Sequence, residues 1–87
     1  MLQKVVPTVL RIDGLRVVVY PNDHRPAHVH VIRDGCEAVF NLNCPDGPPQ
    51  LRENYGFSEK ETGRIEAIVT ENLMQLCREW RRIHGVS

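Results

Sequence analysis

In a chain of 87 residues, 11 Lys and Arg balance 11 Asp and Glu, so no global field draws the protein to nucleic acid. That length supports one hydrophobic core and a single domain over 1–87. No apolar run approaches the ~18 residues of a membrane span, and Met1-Leu2-Gln3-Lys4 lacks a signal peptide's core, which together predict a cytoplasmic globule.

Two Asp-Gly pairs, Asp13-Gly14 and Asp34-Gly35, lie between strand-like runs within 8–42. A two-residue type I′ turn needs positive φ at both central positions, which Asp tolerates and Gly accepts freely, so two β-hairpins are predicted. The first turn pairs Ile12 with Leu15, Arg11 with Arg16, Leu10 with Val17, Val9 with Val18 and Thr8 with Val19. The second pairs Arg33 with Cys36, Ile32 with Glu37, Val31 with Ala38, His30 with Val39, Val29 with Phe40 and His28 with Asn41. Because side chains alternate along a strand, Val29, Val31, Ala38 and Phe40 share a core face. His28, His30, Glu37 and Asn41 then leave the core together on the other side.

Residues 43–57 read as a Pro-rich loop, since Cys44-Pro45-Asp46-Gly47-Pro48-Pro49 cannot continue a central strand; Leu51–Tyr55 is a candidate short fifth strand. Ser58-Glu59-Lys60-Glu61 is a capping box, and Ile65, Ile68, Val69, Leu73, Leu76, Trp80 and Ile83 recur at helical spacing, predicting one helix over 58–84. The expected fold class is α+β: a small antiparallel sheet of two hairpins packed against one long C-terminal helix. About 26 helical residues extend roughly 39 Å, whereas strands of this size span ~17–20 Å. Leu76, Trp80 and Ile83 should therefore overhang the sheet and dock on a partner or on a second copy as a homodimer. A bend near Cys77 is the alternative. Cys36, Cys44 and Cys77 form an odd set without a C-x-x-C pair, so free thiols are expected.

Asp23-His24-Arg25-Pro26-Ala27-His28-Val29-His30 gathers three of the four histidines. Three readings stay open. His28 and His30 can share a Zn²⁺, with His24 or Asp23 arriving from the loop. His28 or His30 can move a proton, with Glu37 beside them and Arg11 or Arg16 stabilising an anionic phosphate, as a metal-independent ribonuclease requires. Or the histidines are structural and bond to Asn41 and Glu37, with Asp23 and His24 shaping the turn. Arg11 opposite Arg16 is repulsive, and a carboxylate or a bound phosphate nearby would compensate. Cys77-Arg78-Glu79-Trp80-Arg81-Arg82 mixes cations with an aromatic as single-stranded RNA binders do, although a basic helix end also complements the macrodipole.

Pro7-Thr8-Val9-Leu10-Arg11, Asn22-Asp23-His24-Arg25-Pro26-Ala27-His28-Val29-His30-Val31, Leu51-Arg52-Glu53-Asn54-Tyr55-Gly56-Phe57-Ser58 and Trp80-Arg81-Arg82-Ile83-His84-Gly85 resemble, in combination, one small prokaryotic family. It is the domain of unknown function 4160, DUF4160. The likeness covers nearly the whole chain after the first half-dozen residues. In the family two adjacent prolines commonly precede the second histidine; here Ala27 replaces one. The resemblance implies a stand-alone protein encoded beside another small protein, in an arrangement like a toxin–antitoxin pair; no catalytic residue carries over, because the family has none assigned. Two functions follow as expectations: a partner-binding component of such a pair, or a ribonuclease or RNA-binding protein.

Overall fold

The structure is a computed structural model that describes residues 8–85. Strands β1 (Thr8–Ile12), β2 (Leu15–Val18), β3 (His28–Arg33), β4 (Cys36–Asn41) and β5 (Gln50–Tyr55) form one antiparallel sheet in chain order. Helices α1 (Glu59–Glu71) and α2 (Leu73–His84) follow. The fold is α+β, as the sequence predicts, with the fifth strand complete and the helix in two parts.

Both hairpin turns take the expected conformation. Asp13 and Gly14 have φ of 52° and 78°, and Asp34 and Gly35 have 48° and 82°. The six predicted β3–β4 pairs all form. In the first hairpin Ile12, Arg11 and Leu10 meet Leu15, Arg16 and Val17 as expected, but Thr8 rather than Val9 then meets Val18. A bulge between Thr8 and Leu10 shifts the register there and corrects the two outermost predicted pairs. An extra residue on one strand of a pair is what a bulge accommodates, at the sheet edge where β1 lies. The hairpins join through β2 and β3, with Val17 opposite Val31 and Val18 opposite His30. Arg16 meets Ile32, which meets Glu37, so the arginine pair shares the sheet face of His30.

The core lies on the opposite face. Val17, Val29, Val31, Ala38 and Phe40 pack there with Ile65, Ile68, Val69, Leu76 and Trp80 from the helices. Each Val, Leu, Ile and Phe among them contributes about 1.5–3 kcal/mol on full burial. At the start of α1, Ser58 Oγ accepts from the Glu61 amide and Glu61 Oε1 accepts from the Ser58 amide, completing the capping box. The Ser58 amide bond, aided by Arg33, holds the Glu61 carboxyl below its ordinary range.

The single long helix is not observed. It kinks at Asn72, whose side-chain amide donates to the Ile68 carbonyl at 2.8 Å while its backbone N–H is shared between Ile68 and Val69. A side chain competing for a helical carbonyl bends the ladder locally. The chain then resumes, with the Leu76 amide donating to the Asn72 carbonyl. This bend brings α2 back over the sheet, so the predicted overhang does not form. Leu76 is 0% exposed and Trp80 3% exposed, both within the chain's own core, and Ile83 packs partly against it. The docking and homodimer expectation for Leu76, Trp80 and Ile83 loses its basis.

The free-thiol expectation is corrected as well. Cys44, from the Pro-rich loop, is bonded to Cys77 of α2, and Cys36 remains a free thiol. The pairing joins residues 33 apart in sequence, which only the folded helix brings together.

Candidate metal centre

β3 begins at His28, and strand alternation puts His28 and His30 on the side opposite Val29 and Val31. The Tyr20–Ala27 loop folds back over that side. Its turn is closed by the Asp23 amide donating to the Tyr20 carbonyl at 3.0 Å and the Tyr20 amide donating to Asp23 Oδ2 at 3.1 Å. Pinned this way, Asp23 Oδ2 lies 3.2 Å from His30 Nε2 and 3.4 Å from His28 Nε2. The two imidazole centroids are 5.2 Å apart, and the Tyr20 ring meets His30 edge-on at 4.7 Å.

The histidines differ in setting. His30 is partly buried, and its Nδ1 lies 2.8 Å from Glu37 Oε2. His28 is only 4% exposed, with its ring 5.3 Å from that of Trp80. The expectation that both leave the core together therefore holds for the strand face but not for His28's exposure. The Trp80 ring of α2 lies against His28. Asn41 sits opposite His28 in register, yet His28 Nδ1 bonds instead to the Pro26 carbonyl at 2.8 Å.

These partners dictate the protonation pattern. A backbone carbonyl and a carboxylate only accept, so the Nδ1 of each histidine is the N–H donor. In the neutral rings, both Nε2 atoms then present lone pairs toward Asp23 Oδ2. In that state Asp23 Oδ2, His28 Nε2 and His30 Nε2 can all face a shared cation, whereas a proton on either Nε2 makes an ion pair with Asp23 instead. The ring nitrogens facing away are held by a carboxylate and a backbone carbonyl, which is how metal-ligating histidines are oriented.

His24 takes no part: it is exposed and lies outside the group formed by Asp23, His28 and His30, whose ligand atoms are all within 4.8 Å of one another. Of the two loop residues that the sequence offers as a third ligand, Asp23 is the one that joins His28 and His30. Arg11 and Arg16 lie opposite each other on the same sheet face, and among the described residues no carboxylate is within 4.0 Å of either. Glu37, on the same face, bonds to His30. With Trp80 enclosed, the Cys77–Arg82 run offers no exposed indole on which bases would stack. Sequence reasoning missed the Pro26 carbonyl and the Trp80 wall; neither has a local signature, since the loop and the helix bend decide both.

Among the described residues no helix is long and apolar enough to cross a membrane. No curated protein and no solved structure matches the chain significantly. The sequence profile of one family does match, over residues 14–81, from the first hairpin turn through most of α2. Its description is "Domain of unknown function (DUF4160)", and the chain belongs to that family.

Proposed function

We propose that this protein binds a divalent transition metal, zinc foremost, through Asp23 Oδ2, His28 Nε2 and His30 Nε2. The observation that carries this reading is the meeting of Asp23 Oδ2, His28 Nε2 and His30 Nε2, all within 4.8 Å of one another, with the far nitrogen of each ring held by an acceptor. Its dimensions support it: bonds of about 2.0–2.1 Å at tetrahedral angles put neighbouring ligand atoms ~3.3 Å apart, and two of the separations here are 3.2 and 3.4 Å. Glu37 and the Pro26 carbonyl hold the rings from behind.

Three protein ligands leave a fourth position, the pattern of catalytic rather than structural zinc. A water there would be polarised toward hydroxide. Arg11 and Arg16 on the same face are the cations available to an anionic substrate. Hydrolysis of a phosphate ester, RNA included, is the chemistry that fits this grouping. The enclosure of His28 leaves His30 as the histidine that a metal-free ribonuclease would use.

Tag-free protein equilibrated with zinc and then desalted should retain about one ion per chain. Zinc at 100 times its Kd should add about 2.7 kcal/mol of stability by mass action. The Asp23→Ala/His30→Ala double variant should bind no zinc and show no such increment. Negligible retained zinc in the parent protein, or equal retention in the double variant, would refute the site.

A second reading, a partner-binding component of a toxin–antitoxin-like pair, is supported by a different surface. β5 is the sheet's edge, all six of its residues are exposed, and Leu51 and Tyr55 are 44% and 59% accessible. An unpaired edge with apolar side chains is a template for strand addition. The partner would be the small protein encoded next door. Co-purification of the two should be lost in the Leu51→Asp/Tyr55→Asp variant; no co-purification of the unmodified pair would dismiss this reading.

A further inference from the structure

We infer that a cleft behind the histidine centre is a binding site for the phosphate of a nucleotide. The cleft has a volume of about 310 Å³ and lies between the Arg25–Ala27 segment, the start of the Pro-rich loop and α2. That is the lower end of the range for small-molecule pockets. Pro26, Ala27 and Pro45, with the little of Trp80 that stays exposed, supply an apolar wall, and the Cys44–Cys77 bond ties its two sides together. Rings and a covalent cross-link leave little to be ordered on binding, which favours affinity.

The charges at this cleft identify the ligand's chemistry. Arg25 enters from the loop and Arg81 from α2, and no acidic residue lines the space between them. Among the described residues neither guanidinium has a carboxylate within 4.0 Å. Two cations line one concave site, and an anion bound there would be attracted by both. The macrodipole explains a cation near the end of α2 but not the arrival of Arg25 from another element. Guanidinium groups match the forked oxygens of phosphate. The apolar wall beside them suits the body of a nucleotide better than inorganic phosphate alone.

This site is separate from the metal centre, although Pro26 serves both: its carbonyl accepts from His28 while the residue lines the cleft. The phosphate can belong to a free nucleotide or to a single-stranded RNA, and the experiment distinguishes them.

Calorimetric titration with AMP, adenosine and a short single-stranded oligoribonucleotide provides the test. AMP should bind saturably, and adenosine at least about tenfold more weakly, the loss expected when charge-assisted hydrogen bonds are removed. Arg25→Ala and Arg81→Ala should each weaken AMP by about tenfold. Arg78→Ala, an equal loss of charge on the same helix but outside the cleft, should leave AMP affinity unchanged. Zinc retention should be the same in all three variants, which separates this site from the metal centre. AMP favoured over the oligonucleotide assigns a free nucleotide. The reverse, with the same dependence on Arg25 and Arg81, assigns an RNA strand. Absence of binding by both AMP and the oligonucleotide at millimolar concentration, equal binding of adenosine, or equal losses in all three arginine variants would overturn the proposal.

Discussion

Trp80→Ala should cost about 3–5 kcal/mol of folding stability, the range for truncating a large buried aromatic. The indole is 3% exposed, stacks on His84 at 3.8 Å between centroids, and covers His28 at 5.3 Å. Total stability for a domain is only ~5–15 kcal/mol, so the variant should be marginal at room temperature. Urea denaturation of both proteins gives the difference directly. A loss below about 1 kcal/mol would mean that the indole is not packed as described, because such a value belongs to surface positions. The same measurement separates the observed fold from the overhanging helix expected at first: on an overhang, the substitution would release a partner and leave the fold intact.

Removing the Cys44–Cys77 bond should have an effect of similar size. Closing a loop between residues 33 apart restricts the unfolded chain by about 3.5–4 kcal/mol in the chain-entropy account. Cys44→Ser, or reduction with dithiothreitol, should lower the urea midpoint accordingly. Cys36→Ser, which breaks no bond, should leave the cross-link's contribution intact. Thiol titration of the denatured, unreduced protein should find one free thiol, and three after reduction. Three before reduction, in protein prepared under oxidising conditions, would show that the bond does not form. Disulfides persist in oxidising compartments and are rare in the cytosol, so comparing protein made in each also tests the cytoplasmic expectation.

The centre was legible in part. Asp23, His28 and His30 stood out as titratable groups close in sequence, and the Asp34-Gly35 turn correctly predicted the strand face that carries both histidines. Glu37 was also placed beside them, and its bond to His30 is present. Of the two candidate third ligands from the loop, geometry selects Asp23 over His24. In the Tyr20–Asp23 turn the backbone closes on itself and presents the aspartate oxygen, leaving the next residue, His24, outside. The burial of His28 had no local sign, since it depends on Trp80, more than fifty residues downstream in sequence.

The helix shows the same division. Ser58 and Glu61 specify its start through bonds spanning three residues, and that prediction needed no tertiary information. Its apolar spacing continues smoothly through Asn72, so the pattern reads as a single helix. The kink follows from one amide competing for the Ile68 carbonyl, and it is favoured once Leu76 and Trp80 gain burial on the sheet. By itself the sequence determined the two turns, their register near each Asp-Gly pair, the N-terminal cap and the membership of the core face. These depend on backbone preferences and bonds within a few residues. The hairpin junction, the bend of the helix, the Cys44–Cys77 pairing and the meeting of Asp23 with two histidines were decided only by tertiary structure. Each joins groups whose preference for one another is weak until the packing of a common core has brought them together.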